Sequence, residues 1–244
     1  MTTPRGSSHR LHLFQTLRNN EMRPVKITPG YIDYPEGSVL IEAGKTRVLC
    51  AVSVIPGVPK WLDGRGQGWL TAEYAMLPRA TNTRTPRETA PSARSQEIKR
   101  LIGRSLRAAV DLRLIGENTI NVDCDVIQAD GGTRTASITG AYVALVIAVR
   151  KMIANKTASP RALKTAVAAI SAGIVGGEEM LDLCYQEDSR AEVDFNVVMT
   201  AEGKLIEVQG TAEGEPFARE AMDRLMDLAR DGIAELFKIQ SSVL

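Results

Sequence analysis

The residues from Asp130 to Ser137 could bind an anion, because their types and order suit a phosphate group. Gly131 and Gly132 carry no Cβ, so their backbone N–H groups can face a ligand. Thr133 offers a hydroxyl donor, and the planar guanidinium of Arg134 matches the oxygens of a phosphate. Taken alone, two glycines are more typical of a tight turn, and Arg134 could be a solvated surface residue. The Walker and dinucleotide-binding patterns do not fit, since no Gly-Lys-Ser/Thr follows and a third glycine is missing.

The elements around these residues are predicted to position them. Residues 119–128 alternate between apolar and polar types, which predicts a strand with one buried face. Residues 138–153 are almost continuously apolar and long enough for a buried helix. The first turn of such a helix leaves unpaired N–H donors and a partial positive charge. The sequence therefore predicts a phosphate site at a strand-to-helix junction.

A pair of carboxylates follows in the second half of the chain. Asp188 comes just after a strand predicted over 180–185, and Asp194 lies in one predicted over 191–200. A chain reversal between them would bring both carboxylates to one edge. Two convergent carboxylates suit Mg²⁺, which keeps several waters and borrows substrate phosphates as ligands. From these residues alone the alternative is stronger: Asp188 caps a turn and Asp194 points to solvent.

Composition excludes several classes of protein. With 44% hydrophobic and 24% charged residues, the chain can bury a full core. Its two histidines, His9 and His12, lie in a polar N-terminal stretch, which disfavours histidine-based hydrolases and histidine-ligated zinc or iron. Cys50, Cys124 and Cys184 form no CxxC pair and are predicted to be reduced core residues of a cytoplasmic protein. We find neither a signal-peptide layout nor an uncharged apolar run long enough to span a bilayer, so no membrane is expected.

Charge is distributed unevenly although the net charge is +1. Residues 79–113 contain nine basic residues against three acidic ones, an excess of six positive charges. Residues 178–194 contain seven acidic residues against one arginine, an excess of six negative charges. Most charge runs are solvated faces. The functional alternative is a basic surface for a polyanion and an acidic site for a metal.

The remaining elements predict a single α+β domain over residues 18–244, preceded by a disordered extension at 1–17. Strands are expected at 38–41 and 46–54, joined as a hairpin, and at 166–175 and 205–209. Helices are expected after Ser92 or Ser95, through Ile98 to Val110, and over 217–240. Residues 57–93 are interpreted as a long irregular segment with short pieces of strand.

Long motifs in the chain resemble the bacterial RNase PH family of phosphorolytic exoribonucleases, which is related to polynucleotide phosphorylase. They lie at residues 36–40, 72–81, 123–140, 187–189 and 208–211. The similarity covers roughly residues 18–240, and motifs this long are very specific. It implies an RNase PH-like α+β fold of mixed sheets and helices. It also implies that inorganic phosphate attacks the last 3′ phosphodiester of an RNA and releases a nucleoside diphosphate, with nucleotide addition as the reverse reaction.

The resemblance also implies roles for particular residues. Phosphate would be held by Arg94, Gly132, Thr133 and Arg134. Mg²⁺, or alternatively Mn²⁺, would be held by Asp188 and Asp194 as the catalytic pair, one of which would also act as a general acid. RNA would be held by Arg79, Arg84 and Arg87, with Arg100 a weaker candidate because an ion pair could engage it instead.

The implied partners are tRNA precursors and other RNA 3′ ends, and a cytoplasmic homohexamer built as a trimer of dimers. Two alternatives stay open: a ring subunit that binds RNA without catalysis, and an oligomeric protein that binds small phosphorylated metabolites. The chain departs from the family in two places. Asn20-Glu21-Met22-Arg23-Pro24 replaces an Asp-Glu-Leu-Arg-Pro pattern, and the stretch between Arg87 and Arg94 is shorter and lacks lysines.

Overall fold

The computed structural model describes residues 19–87 and 92–244, so the extension predicted at 1–17 lies outside the described residues. The strands are β1 (Val25–Pro29), β2 (Gly37–Ala43), β3 (Thr46–Pro56), β4 (Trp69–Met76), β5 (Asn118–Gln128), β6 (Val167–Val175), β7 (Glu178–Leu181), β8 (Val193–Thr200) and β9 (Leu205–Ala212). The helices are α1 (Ala93–Ala109), α2 (Thr133–Ala154), α3 (Tyr185–Asp188) and α4 (Arg219–Ser242). This arrangement confirms the α+β class.

The first sheet has five strands in the order β1-β2-β3-β5-β4. The predicted hairpin is confirmed as β2 and β3, which pair antiparallel. The strand predicted over 119–128 is confirmed as β5, and its alternate residues Ile120, Val122, Cys124 and Val126 are buried. β4 pairs parallel with β5, and α1 lies on the connection between them. Within the segment expected to be irregular, β4 is therefore a full strand of eight residues.

The second sheet has four antiparallel strands in the order β7-β6-β8-β9. The prediction of one strand over 180–185 is wrong, because β7 ends at Leu181 and a short helix, α3, begins at Tyr185. Asp182 adopts a left-handed backbone with φ of 54°, which turns the chain away from the sheet. The Glu187 carboxylate then accepts a hydrogen bond of 2.8 Å from the backbone N–H of Cys184. Cys184 therefore caps a helix and is partly exposed, so its predicted core position is wrong. Cys50 and Cys124 are buried as predicted.

The two sheets enclose α1 and α2, and α4 covers the outer face of the second sheet. α2 is the central element, since it packs against strands of both sheets. By length and composition α2 is apolar enough to span a membrane, but 78% of its most apolar window is buried inside this protein. The buried helix of a folded core meets the same criterion.

A buried polar contact joins α2 to the second sheet. The Thr139 hydroxyl donates to the carbonyl of Ala169 at 3.1 Å and accepts from the Ala169 N–H at 3.0 Å. The Gln240 side chain, at the end of α4, donates to the carbonyls of Thr139 and Val167 at 3.0 Å each. These bonds fix the height of α2 relative to β6, because buried polar groups are costly to leave unpaired.

The sequence offered Ser92 and Ser95 as caps of the first helix. Ser92 is the N-cap, and α1 begins at Ala93. The Ser92 hydroxyl accepts a hydrogen bond from the Ser95 N–H at 3.2 Å, as expected of an N-cap. The helix ends at Ala109, so the buried Val110 follows it and pairs with Leu163 in an isolated bridge. The closing helix is confirmed as α4.

Candidate active site

The Gly131–Gly132 turn links β5 to α2, and both glycines have left-handed backbones with φ of 76° and 63°. A Cβ on Gly131 would collide with the carbonyl oxygen of Leu183, in the connection between β7 and α3. Gly132 is the N-cap of α2, and its carbonyl accepts from the Ala136 N–H at 3.0 Å. The two glycines are therefore required by the turn and by close packing against the second half of the chain.

Thr133 opens α2 and is held by a residue that the sequence analysis did not single out. The Tyr74 hydroxyl, at the end of β4, donates to Thr133 Oγ1 at 2.9 Å. Both side chains are buried. Burial raises the pKa of Tyr74, while the hydrogen bond to Thr133 and the charges of Arg94 and Arg134 act in the opposite direction. The phenol therefore stays protonated and orients the Thr133 hydroxyl.

Arg134 lies at the start of α2 with 13% of its side chain exposed. Its Nη1 donates to the amide oxygen of Gln209 in β9 at 2.5 Å and lies 3.5 Å from a carboxylate oxygen of Glu97 in α1. The Gln209 amide also donates to Glu97 at 3.4 Å. Side chains from β9 and α1 thus hold the Arg134 guanidinium at the N-terminus of α2. The unpaired N–H groups of this helix end also favour an anion.

Asp188 and Asp194 are brought within electrostatic reach of each other. Burial raises the pKa of Asp188 although its side chain stays accessible, and the charge of Asp194 raises it further. The charges of Arg94 and Arg134 oppose this rise. Asp188 ends the short helix α3, which replaces the strand end expected there, while Asp194 lies in β8 as predicted. The predicted pair and two of the predicted phosphate ligands therefore share one site.

The donors at this site can be compared with those that a metal requires. Asp194 accepts a hydrogen bond of 2.9 Å from the Asn196 amide, which leaves its other oxygen available. Over residues 19–87 and 92–244, no three His, Cys, Asp or Glu side chains cluster as a metal site. Two carboxylates without a third protein ligand are compatible with Mg²⁺, which retains waters, and not with a closed structural zinc site.

A buried ion pair supports the glycine turn from behind. Arg23 donates from Nη2 to Asp182 Oδ1 at 2.7 Å and from Nε to Asp182 Oδ2 at 2.9 Å. Its Nη1 donates to the carbonyl of Asp130 at 2.5 Å. Burial lowers the pKa of Arg23, but Asp182 more than compensates and the net direction is upward. The altered N-terminal motif thus keeps the arginine that joins the β5–α2 turn to the end of β7.

Comparison with known proteins shows the family of this chain. A family model described as "3' exoribonuclease family, domain 1" matches residues 21–151, and its domain 2 matches residues 165–232. The chain belongs to the 3′ exoribonuclease family. Proteins named Ribonuclease PH from Mycobacterium sp. (strain KMS) and Saccharopolyspora erythraea are each 57% identical over 230 residues. These alignments cover 93% of this chain and 88% and 92% of the relatives, which confirms the resemblance to the RNase PH family.

Solved structures share the fold of this chain. Rice Rrp46 superposes with a TM-score of 0.76 at 19% identity, covering 93% of this chain and 97% of that one. A structure titled "archaeoglobus fulgidus exosome with RNA bound to the active site" gives 0.75 at 23% identity, covering 90% and 89%. At these identities the likeness shows the fold alone.

The arginines predicted to hold RNA lie on the surface. Arg79, Arg84 and Arg87 are exposed in the segment after β4. Arg100 is exposed on α1. Within the described ranges it forms no ion pair, which was the alternative to RNA contact for this residue. The shortened stretch before Arg94 includes residues 88–91, which lie outside the described residues.

Proposed function

We propose that this protein is a phosphorolytic 3′-to-5′ exoribonuclease that trims the 3′ ends of tRNA precursors and releases nucleoside diphosphates. One observation carries the proposal: Arg134 contacts Gln209 in β9, the strand paired with β8, which carries Asp194. The neighbouring Gly131 packs against the backbone that leads into α3, which carries Asp188. Cations for phosphate and carboxylates for a metal therefore adjoin in one site. Phosphoryl transfer depends mainly on such positioned charges and requires no histidine.

The reaction follows from this arrangement. Inorganic phosphate would bind at the N-terminus of α2, on the Gly132 turn, the Thr133 hydroxyl and the Arg134 guanidinium, together with Arg94. One of its oxygens attacks the phosphorus of the last phosphodiester, and the bond from that phosphorus to the 3′ oxygen of the preceding residue breaks. The released nucleotide carries the new phosphate as a nucleoside diphosphate. The 3′ oxygen takes up a proton, for which one of the two carboxyl groups, Asp188 or Asp194, would be the donor.

Asp188 and Asp194 would hold Mg²⁺, and Mn²⁺ would suit the same oxygen donors. The mutual repulsion of the two carboxylates is the observation that fits a cation here, since a divalent ion would neutralise it. When bound, the ion would stabilise negative charge on the phosphate oxygens during transfer.

The proposal extends to the protein's assembly and surroundings. Relatives solved as an archaeal exosome core support a ring, and we propose a hexamer made of three dimers, working in the cytoplasm on tRNA precursors. Arg79, Arg84, Arg87 and Arg100 would hold the RNA, because exposed arginines bind phosphates independently of sequence.

The test is a tRNA with a few additional 3′ nucleotides, incubated with Mg²⁺ in the presence and absence of inorganic phosphate. Shortening that requires phosphate and yields nucleoside diphosphates is expected. Shortening without phosphate that yields monophosphates would mean hydrolysis and overturn the proposal. Binding without shortening would instead identify an RNA-binding ring subunit.

Variants locate the chemistry within the same assay. Arg134→Ala is expected to lose most phosphate-dependent turnover and to retain RNA binding, whereas Arg113→Ala, on an arginine whose side chain is 81% exposed, serves as its control. Asp194→Asn is expected to lose metal-dependent activity in an intact fold, with the exposed Asp63→Asn as control. Near-normal turnover in Arg134→Ala, or an unchanged Mg²⁺ dependence in Asp194→Asn, would contradict the respective assignments.

A further inference from the structure

An open basin of about 260 Å³ lies beside the β5–α2 turn, outside the site described above. Lys45, Arg79, Asn82, Gln128 and Asp130 contribute polar side chains to its lining. A second cavity of about 240 Å³ shares Lys45 and Asp130 with it and extends toward α3. We call these two adjoining cavities the groove; their lining residues extend from the loop after β4, past the glycine turn, to α3, which carries the candidate metal ligand Asp188.

The backbone of Lys45 is held in place at the middle of this groove, although the residue lies in the turn of a hairpin. The Gln128 amide donates to the Lys45 carbonyl at 2.7 Å. The hydroxyl of the next residue, Thr46, donates to the Gly131 carbonyl at 2.7 Å and accepts from the Asp130 N–H at 2.9 Å. Three hydrogen bonds therefore join the β2–β3 turn to the strand-to-helix connection.

Arg79 is positioned from the opposite side by a compact loop. The N–H of Thr85 donates to the Pro78 carbonyl at 2.9 Å and closes the loop at its base. The N–H of Ala129 donates to the Ala80 carbonyl at 2.8 Å, which ties the loop to the end of β5. Arg79 and Lys45 thus reach the basin from two separate elements that are both fastened to residues 128–131.

The charged residues in the basin lining are Lys45, Arg79 and Asp130, which leave a net charge of one positive. Lys45 and Arg79 are exposed, and no carboxylate in the described ranges lies within ion-pair distance of either. Among the described residues, Asp130 is the only acidic one in the lining, and its Oδ1 accepts a hydrogen bond of 3.4 Å from the Tyr185 N–H. Two cations on backbones that hydrogen bonds hold in place, with an amide beside them, suit a phosphodiester.

We infer that Lys45, together with Arg79, binds a backbone phosphate of the RNA just upstream of the nucleotide being removed. The inference rests on the proposed function for the identity of the polyanion. Asp130 precedes Thr133 by three residues, so the Cα atoms of the basin floor and the phosphate turn are at most about 11 Å apart. An RNA whose 3′ end reaches Thr133 has its body within reach of Lys45. Because the contact is to a phosphate, it holds any sequence.

The test measures RNA affinity without turnover. Binding of a fluorescently labelled single-stranded 12-mer is followed by anisotropy from 50 to 300 mM KCl, with EDTA present and inorganic phosphate absent. Lys45→Ala is expected to weaken binding about five-fold at 150 mM and to lower the salt slope by roughly 0.7 to 0.9, the value for one phosphate contact. Lys45→Gln, which keeps a polar side chain of similar length, should show the same loss of slope.

Lys151→Ala is the matched control, because Lys151 is exposed near the far end of α2, about 27 Å along the helix from Thr133. Its affinity and slope should equal those of the unaltered protein. A Lys45→Ala slope equal to that of Lys151→Ala, with equal melting temperatures, overturns the inference. A change in oligomeric state with unchanged RNA affinity also overturns it and would assign the groove to a protein contact.

The two proposals fail in different ways. If the unaltered protein binds RNA with a slope that depends on Lys45 but never shortens it in phosphate, the proposed function is wrong and the groove stands. If the protein shortens RNA in phosphate but Lys45→Ala leaves RNA binding unchanged, the inference about Lys45 is wrong and the proposed function stands.

Discussion

The substitution Tyr74→Phe removes a single hydroxyl and tests whether Tyr74 orients the Thr133 hydroxyl toward bound phosphate. The Tyr74 side chain is 4% exposed, and its hydroxyl donates to Thr133 Oγ1 at 2.9 Å. An oxygen that accepts this bond directs its own proton elsewhere, which in our proposal is to the bound phosphate. One buried bond between neutral groups contributes about 1 kcal/mol, or about five-fold in an equilibrium constant. We therefore expect the KM for phosphate to rise about five-fold while kcat changes less.

The assay is nucleoside diphosphate release at saturating RNA with phosphate as the varied substrate. Tyr142→Phe is the matched control, because Tyr142 is also buried, lies on the same helix as Thr133, and its hydroxyl bonds to none of the described residues. Both variants lose one phenolic oxygen, so their difference isolates the contact. Because burial keeps Tyr74 protonated, the effect should not vary with pH between about 6 and 9.

Two results would refute this reasoning. One is a phosphate KM for Tyr74→Phe that equals that of Tyr142→Phe. The other comes from a double-mutant cycle with Thr133→Ala: if the two residues act through one hydrogen bond, Tyr74→Phe should have little effect once the threonine hydroxyl is gone. Fully additive effects would mean that the two residues act independently.

Three further predictions concern the surroundings of the site. Asp182→Ala leaves the buried Arg23 guanidinium without its carboxylate, so the free energy of unfolding in urea should fall by about 3–5 kcal/mol; a loss below about 1 kcal/mol would contradict the buried ion pair. Burial raises the pKa of Asp123, so the folded state binds this proton more tightly and stability falls as pH rises above the unfolded value of about 3.9. Asp123→Asn should therefore melt at a higher temperature than the unaltered chain at pH 7, with the difference shrinking toward pH 4; an equal difference at both pH values would contradict it. Gln209→Ala frees Arg134 from a partly exposed hydrogen bond of 2.5 Å and should raise the KM for phosphate about five-fold, whereas an unchanged KM would remove Gln209 from the positioning of Arg134.

Local patterns were sufficient to predict much of this fold. The alternation over 119–128 indicates a strand because one face of β5 is buried, and the apolar run over 138–153 indicates a helix that is buried on most sides. Ser92 was recognisable as a cap because its chemistry acts within four residues. The region after β7 could not be predicted in this way. Asp182 takes a left-handed backbone in a segment held by Arg23, a residue 159 positions away.

In the candidate site, too, only the residues with a local sequence signal could be predicted. Thr133, Arg134 and Asp194 could be proposed from their own neighbourhoods and from the resemblance. The roles of Tyr74 and Gln209 could not be predicted, because these residues contact Thr133 and Arg134 only in the assembled fold. Neither residue is unusual in its local sequence, so no signal within one segment would have identified it.

The buried bonds between Thr139 and Ala169 have a mechanical consequence for the chemistry. Arg94, Thr133 and Arg134 belong to the region matched by the first family model, whereas Asp188 and Asp194 belong to the second. The spacing between these two groups of residues therefore depends on the position of the second sheet along α2, which the Thr139 contact fixes. A substitution in this seam would misalign the reactants while leaving each residue of the site intact. Inactive variants of this protein should therefore be sought in the seam as well as in the site.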